Sequence, residues 1–455
     1  MTFRVFHLST LMKISVKPLR SGHNGEVVAR ESLVGMVGVA RFLIVDAGKV
    51  STRYKALHVC RMKQRSERKG SMASSRNNGK SGGKSAGRKT GAKSGTGAIR
   101  PSAKTGKSNG KTKGMSAKAL RKKRRLTGAL AGLLTVAMIA EIVLRLLPAD
   151  LQALPYIPII LLFVPWFILV GALASGLAVF SRRPVVALLA FACLGVNCWW
   201  QYPFFSPTHP LSVAATSAVA HSIADTDDQY ARVMTLNVYK GEADAQAIVD
   251  LVREERVEVL ALQETTNDFV EQLKNAHIET YLPYSQVSTM DGAYGNGLWS
   301  ATPLAEPVDD AVNSSASFMP GGTVQFSGGQ KAVRFVSVHT TSPRQGDWRQ
   351  WKRSLDELGL KRGDEGTRYV FMGDFNATMD HAPMREFLGT RFRDAAYGSG
   401  HGFAFTSPTN LFAVPAVAAV DHVVVDSDMT AGQVQVKRIT GSDHAALLAT
   451  IDVGR

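Results

Sequence analysis

Cysteine is nearly absent: Cys60, Cys193 and Cys198 are the only three in 455 residues, too few to staple a secreted domain with disulfides. Acidic residues are scarce in the first part of the chain, where residues 1–125 hold 31 Lys and Arg against 4 Asp and Glu. The rest of the chain holds 23 basic and 33 acidic side chains, so the formal net charge of +17 belongs to a tail. A globally basic nucleic-acid binder is thereby disfavoured. Residues 1–60 lack the layout of a secretory signal, a charged start followed by an apolar core and a small-residue cleavage site. Met62 and Met72 stand as alternative starts of translation. No internal repeat is found.

Residues 61–125 are almost entirely Lys, Arg, Gly, Ser, Ala and Thr. That composition offers too little apolar surface to offset the entropy of ordering, so a disordered tail is expected there. Three apolar stretches follow, Leu126 to Leu147, Pro155 to Phe180 and Pro184 to Phe204, each long enough to cross roughly 30 Å of hydrocarbon. They are apolar all round, whereas the buried helices of a soluble domain carry an amphipathic stripe, and three transmembrane helices are expected over 126–204. Arg121 to Arg125 precede the first stretch and Arg182 and Arg183 separate the second from the third, while the turn Pro148 to Leu154 has no Lys or Arg. Positive charge stays inside, which places the tail in the cytoplasm and everything after Phe204 outside the cell membrane. Glu141 and Arg145, four residues apart near the outer end of the first stretch, are expected to pair and snorkel. Trp199 and Trp200 suit an interfacial belt.

Residues 205–228 read as a Ser, Thr, Ala and Pro linker, and 229–455 as one compact domain. Short apolar runs at Arg232 to Val238, Val257 to Gln263, Lys331 to His339, Arg368 to Phe371, Val420 to Val425 and Ala445 to Ile451 predict strands. Asp244 to Glu255, Asn267 to Ala276, Asp347 to Leu360 and Pro383 to Leu388 have helical periodicity. The domain is therefore α/β. Polar residues recur at the strand ends: Asn237, Glu264, His339, Asp374 with Asn376, Asp421, and Asp443 with His444. In α/β sheets that edge is where loops converge on a ligand. Carboxylates beside Asn and His are the oxygen and proton-transfer groups that a hard divalent cation and its chemistry require. Singly, each residue also fits a helix cap or a turn.

In order and spacing the set resembles the endonuclease/exonuclease/phosphatase superfamily, whose members include DNase I, AP endonucleases, neutral sphingomyelinases and inositol polyphosphate 5-phosphatases. The resemblance rests on Thr235-Leu236-Asn237, Leu262-Gln263-Glu264, Gly295-Asn296-Gly297-Leu298, Val338-His339-Thr340, Gly373-Asp374-Phe375-Asn376, Val420-Asp421-His422 and Gly441-Ser442-Asp443-His444, from about Arg232 to Ile451. It implies a four-layer α/β/β/α sandwich and a Mg²⁺- or Mn²⁺-dependent phosphoric ester hydrolase. By the family pattern Glu264 is the principal metal ligand, with Asn237 and Asp443 near the same ion. Asp374 and Asn376 hold the nucleophilic water and a phosphate oxygen. His444, oriented by Asp421, is the general base or a transition-state contact, and His339 donates near the phosphate. His401 and His422 match no family position. The acid that accompanies the His339 position in DNase I has no clear counterpart here, and the Arg often found before the Asp421 position is missing.

Specificity in this superfamily lives in loops. Ser206 to Arg455 carries 20 basic and 31 acidic residues, a balance that does not favour nucleic acid. One local exception is Arg344, Arg349, Lys352, Arg353, Lys361 and Arg362, interleaved with Trp348 and Trp351, which reads either as an anionic-ligand patch or as a solvated helix face. Three spans followed by an outward-facing domain also resemble the teicoplanin-resistance membrane proteins of actinomycetes, for which a lipid pyrophosphate is a proposed substrate. The expected substrate is a lipid-linked or other extracytoplasmic phosphoester. The alternatives are an extracellular nuclease acting on DNA or RNA, and a non-catalytic binding module on a membrane anchor. The basic tail suits anionic inner-leaflet lipids or nucleic acid, and no protein partner is identifiable.

Overall fold

The computed structural model describes residues 117–220, 227–327, 330–410 and 415–454. The extension expected over 1–60 and the tail over 61–116 lie outside them. Helix α1 (Ala117–Leu146) begins inside the segment expected to be disordered, because the basic run Lys118 to Arg125 continues straight into the first apolar stretch with no Gly or Pro to interrupt it. A short turn, α2 (Ala149–Gln152), leads to α3 (Ile157–Leu161), a 3₁₀ turn at Val164–Trp166, α4 (Phe167–Phe180) and α5 (Pro184–Gln201).

The second apolar stretch is therefore not one helix. Pro158 and Pro165 each lack a backbone donor, and the chain breaks at Leu162 and Phe163 between them. Among the described residues two helices are long and apolar enough to cross a membrane, Ala117–Leu146 and Pro184–Phe204, and the stretch Val164–Phe180 is shorter. Helices α1, α4 and α5 pack against one another, and small residues such as Ala131, Gly171, Ala174 and Ala190 are buried where they meet. The expected Glu141 to Arg145 pair does not form. Glu141 instead accepts from Asn197 Nδ2 on α5 at 3.2 Å, and Arg145 leaves the bundle for Asp380.

The described residues after the bundle, 204–220, pack on the domain that follows. Phe204 is buried in the core of the following domain, and α6 (Val213–Ala218), capped by Ser212, lies against its last strand. From there the chain builds two six-stranded sheets. It runs through β1 (Tyr230–Asn237), α7 (Ala245–Glu255), β2 (Val259–Gln263), α8 (Asn267–Asn275), β3 (Tyr284–Ser288), β4 (Asn296–Ser300), β5 (Ala305–Val308), β6 (Gly321–Phe326) and β7 (Lys331–His339). It continues with α9 (Trp348–Gly359), β8 (Tyr369–Asp374), α10 (Ala382–Leu388), β9 (Phe392–Asp394), β10 (Asp421–Asp426), β11 (Thr430–Arg438) and β12 (Ala445–Asp452). The sheet orders are β11-β12-β1-β2-β4-β3 and β5-β6-β7-β8-β10-β9. Only β1 with β2 and β7 with β8 run parallel among these pairs.

Strand alternation divides the core. From β1, Ala231 and Val233 point between the sheets, while Met234 and Leu236 point outward to meet Ile248 and Val252 of α7 and Phe269 of α8. On the other sheet, Phe371 packs outward on Phe387 of α10 and Phe392. The layers are helix, sheet, sheet, helix, which is the four-layer arrangement expected. Toward one end the layer between the sheets turns polar. There Thr235 donates to Gln263 Oε1, and Gln263 Nε2 donates to Ser337 Oγ across the sheets at 3.1 Å.

Two glycines at that end have no substitute. A Cβ on Gly373 would lie 1.9 Å from the carbonyl oxygen of Val338 on the neighbouring strand, and one on Gly441 would lie 2.1 Å from that of Glu242. Gly373→Ala must therefore part β7 from β8, where His339 is in register with Asp374. The expected loss is above about 4 kcal/mol, in the range of severe core lesions. It is checked by the thermal midpoint of the full chain, and a midpoint within a degree or two of wild type refutes this reading of the contact.

Candidate active site

The two parallel pairs end at the same edge of the sandwich, and the antiparallel neighbours begin there. Asn237 closes β1, Gln263 closes β2 with Glu264 next, and Asn296 opens β4 opposite Gln263. His339 closes β7 beside Asp374 at the end of β8, and Asp421 opens β10 opposite Asp374. Asp443 and His444 lead into β12 beside the end of β1. Residues spread over more than 200 positions thus meet because strand direction alternates around them.

Asp374 is the hub. Its Oδ2 lies 3.2 Å from Asn237 Nδ2, 3.7 Å from His444 Nε2 and 3.8 Å from His339 Nε2. Its Oδ1 accepts the backbone N–H of Asn376 at 2.8 Å, which folds the Gly-Asp-Phe-Asn turn back on itself with Asn376 left-handed at φ 47°. Asn376 Nδ2 donates to the Thr340 carbonyl. Glu264, also left-handed at φ 60°, is oriented by its N–H on Asn296 Oδ1, and its Oε1 takes the other hydrogen of Asn237 Nδ2 at 3.2 Å. His444 Nδ1 and Asp421 Oδ2 are 2.7 Å apart, which leaves Nε2 facing Asp374 and Ser407 Oγ, the latter at 3.3 Å. Ser442 ties this segment down by accepting the His444 N–H and donating to the Asn237 carbonyl.

The residues expected at the site lie along this edge, and three features of their arrangement matter. Asn237 presents its N–H side to both acids while its Oδ1 accepts from Tyr239, so in this arrangement it bridges carboxylates and offers no oxygen to an ion. His339 hydrogen-bonds to no carboxylate among the described residues, and Asp374 and Glu264 stand at 3.8 and 3.9 Å. Asn296, Ser407 and Ser442 act on the site without having been expected there. Asn296 and Ser442 were legible as members of glycine-bearing motifs, whereas nothing in the sequence around Ser407 marks it.

Electrostatics follow from burial. Burial raises the carboxyl pKa of Asp374, with Asp421 adding to it and His444 and His339 opposing. Burial also raises that of half-buried Asp443, where His444 opposes and Glu264 adds. Burial lowers His339. For His444 burial acts downward too, but the carboxylates of Asp421 and Asp374 override it and push the imidazole up to about 10. The result is a buried, acid-rich pocket. Asp374, Asp421 and His444 offer ligand atoms within 4.8 Å of one another, although Asp421 is already committed to His444. Glu264 Oε2 is buried and has no hydrogen-bond partner among the described residues. A free carboxylate oxygen on Glu264, which shares the Asn237 amide with Asp374, is a donor that fits a hard divalent cation.

The sequence 234–444 matches the model of the Endonuclease/Exonuclease/phosphatase family. The domain belongs to that family. Solved structures to which the chain is similar include a humanised zebrafish TDP2 (17% identity, 49% of this chain and 99% of that one, TM-score 0.41). Others are a family protein from Leptotrichia buccalis (15%, 49% and 99%, 0.38) and the human Nocturnin catalytic domain (15%, 49% and 94%, 0.37). No curated protein matches the sequence.

His422 lies beneath the site and outside its chemistry. Both ring nitrogens face acceptors, Asp394 Oδ2 at 2.7 Å and the Ala377 carbonyl at 2.8 Å, an arrangement that only the imidazolium satisfies. Burial acts to lower its pKa, and Asp394 overrides it, so the folded value is raised. A raised folded pKa means that the pair stabilises fully below the free value near 6.5 and is lost as pH climbs through the folded one. Asp394→Asn is thus expected to cost about 3 kcal/mol at pH 6 and less at pH 9. Thermal midpoints of both proteins at the two pH values check this, and a gap that is constant or grows with pH contradicts it.

Proposed function

We propose that the chain is a membrane-anchored, divalent-metal-dependent phosphohydrolase acting on a lipid-linked phosphoester outside the cytoplasm. The observation that carries the reading is the meeting of Glu264, Asp374, Asn376, His339 and the Asp421–His444 pair at one buried sheet edge, with half-buried Asp443 next to His444 in the chain. Glu264, with Asp374 and Asp443, would hold Mg²⁺ or Mn²⁺. When bound, the ion supplies positive charge to the phosphate oxygens and lowers the pKa of a water. Asp374, fixed by the Asn376 N–H, orients the attacking water, and the Asn376 amide and His339 face phosphate oxygens. His444, held in one orientation by Asp421, donates to the phosphate or moves the water's proton.

The anchor reading rests on two helices of spanning length and on a third segment, Ile157 to Phe180, that is broken but apolar. With a bundle of three crossings and basic residues at the ends Arg121 to Arg125 and Arg182 to Arg183, the positive-inside rule sets the catalytic domain outside. A lipid substrate is favoured by where the bundle ends. Trp166 donates to the Val417 carbonyl and stacks on Phe405, in the same loop as Ser407, which touches His444. The far rim exposes Met290, Tyr294 and Phe318. The basic helix with the loop before it reads as a solvated face, with Arg344, Arg349 and Arg353 exposed and Trp348 and Trp351 in the core. Lys352 is spent on Asp356 and on Asp150 of the bundle.

The test is hydrolysis by the full chain in lipid nanodiscs, with Mg²⁺, Mn²⁺ or EDTA, of phospholipids, an isoprenoid pyrophosphate, DNA and RNA. Turnover of a lipid class that EDTA abolishes, and that Glu264→Ala and His444→Ala lower by a factor on the order of 10² to 10⁴, is the expected result. Cleavage of nucleic acid alone would make it a nuclease. Metal binding without turnover of anything would leave a binding module.

A further inference from the structure

The loop leaving β8 serves two places. It delivers Asp374 and Asn376 to the site, and a few residues later it delivers Asp380 and His381 to the helix bundle. Buried Asp380 takes Arg145 Nε at 2.6 Å and Gln201 Nε2 at 3.1 and 3.2 Å. Arg145 lies in the last turn of α1 and Gln201 is the last residue of α5, so one carboxylate joins the ends of two helices. The Arg145 guanidinium also lies over the Trp200 ring, 3.9 Å from its centre, which fixes its plane. His381 Nδ1 accepts the Thr378 N–H at 2.8 Å, so Nε2 carries the hydrogen and donates to the Pro158 carbonyl of α3, also at 2.8 Å. Burial pushes His381 down to about 4, and this tautomer holds across physiological pH. The next N–H, of Ala382, donates to Gln152 Oε1, and Gln152 Nε2 closes the open carbonyls of Leu144 and Arg145.

The path back to the site is as short. The Trp351 ring meets His381 edge-on at 5.2 Å, and its Nε1 donates to the Asn376 carbonyl at 2.9 Å. Asn376 is therefore held from the bundle through His381 and Trp351, and Asp374 accepts the Asn376 N–H. The bundle also touches the domain where Trp166 donates to the Val417 carbonyl and Asp150 meets Lys352, but Arg145, Gln201, Pro158 and Gln152 converge on Asp380 to Ala382, just beyond the acid at the hub.

We propose that the helix bundle is a built-in part of the active site, with Asp380 and His381 as positioning residues through which the ends of α1, α3 and α5 fix the loop bearing Asp374 and Asn376. The bundle then does more than tether, since an active-site group displaced by an ångström loses rate steeply. The inference goes beyond the proposed hydrolysis and rests on it only for its kinetic readout.

The experiment uses the full chain in nanodiscs, a small soluble aryl phosphodiester with Mn²⁺, and amide hydrogen exchange across Phe375 to His381. Asp380→Ala is expected to speed exchange in that segment by about tenfold or more while the strands keep their protection. It should also lower kcat by on the order of 10- to 100-fold with KM nearly unchanged. Asp380→Asn keeps an acceptor for Arg145 and should recover most of both. Arg391→Gln, which breaks the ion pair with Asp426 at the opposite end of β10, is the control for lost stability alone. Should Asp380→Ala fail to fold, Arg145→Lys, which keeps the charge without the stack on Trp200, replaces it. Unchanged exchange in the loop overturns the proposal, as does an equal kcat loss in an Arg391→Gln protein of matched thermal midpoint. If the wild type leaves the diester intact, the hydrolase reading falls, and the exchange measurement still decides this one.

Discussion

The side-chain amide of Asn237 donates to two carboxylates at once, Glu264 on its own sheet and Asp374 on the other, and this shared contact is where the two sheets are electrostatically joined. Buried acids so close are mutually repulsive and poorly solvated, and each is tolerated only with compensation. The compensating groups are all visible: the Asn237 amide, the His444 imidazole with its own acid Asp421, the nearby His339, and the Asn376 N–H. What they leave without a partner among the described residues includes Oε2 of Glu264, Oδ1 of Asp421 and Nδ1 of His339, and free carboxylate oxygens are groups that suit a hard divalent cation.

That constraint reaches down into the fold. The carboxylates can meet only if two sheet ends coincide, and that coincidence needs strands in very close approach. Gly373 lets β7 and β8 pair with no Cβ between them, and Gly441 lets the segment before β12 cross the Glu242 carbonyl. It also needs a polar seam between sheets that are otherwise packed with Val, Phe and Leu. Thr235, Gln263 and Ser337 supply it with hydrogen bonds among themselves, so the apolar core stops short of the site without leaving those groups unsatisfied.

Much of this was legible in the chain because the relevant signals are local. The run Lys331 to His339 reads as a strand and is one, and the helices over 245–255 and 348–359 follow their periodicity closely. Each catalytic candidate directly ends or begins an apolar run, so strand ends sufficed to gather them. Edge strands were not legible: Ala305–Val308 is exposed throughout and Thr430–Arg438 has one buried residue, and neither has a buried face to impose alternation. Asn296–Ser300 is fully buried yet contains Asn, Gly and Ser, which spend themselves on hydrogen bonds and close packing rather than on apolar contact. The partner of Arg145 was misread for a different reason. Glu141 is a turn away and Asp380 is 235 residues away, and only the folded chain brings the second to hand.

That long-range partner changes how the proposed anchor relates to catalysis. A tether alone raises the local concentration of membrane-borne substrate, and any flexible linker would achieve it. Here the described residues 205–220 pack on the domain: Thr208 donates its N–H to the Gly398 carbonyl, Leu211 approaches Gly432, and α6 lies on β12. On the proposed reading, a packed junction would hold the catalytic edge in one orientation relative to the bundle and so serve a substrate whose own orientation is imposed by a bilayer. A polymer in solution, free to approach at any angle, would gain nothing from it. On that same reading, the packing suits a lipid-borne phosphoester on grounds that are independent of charge.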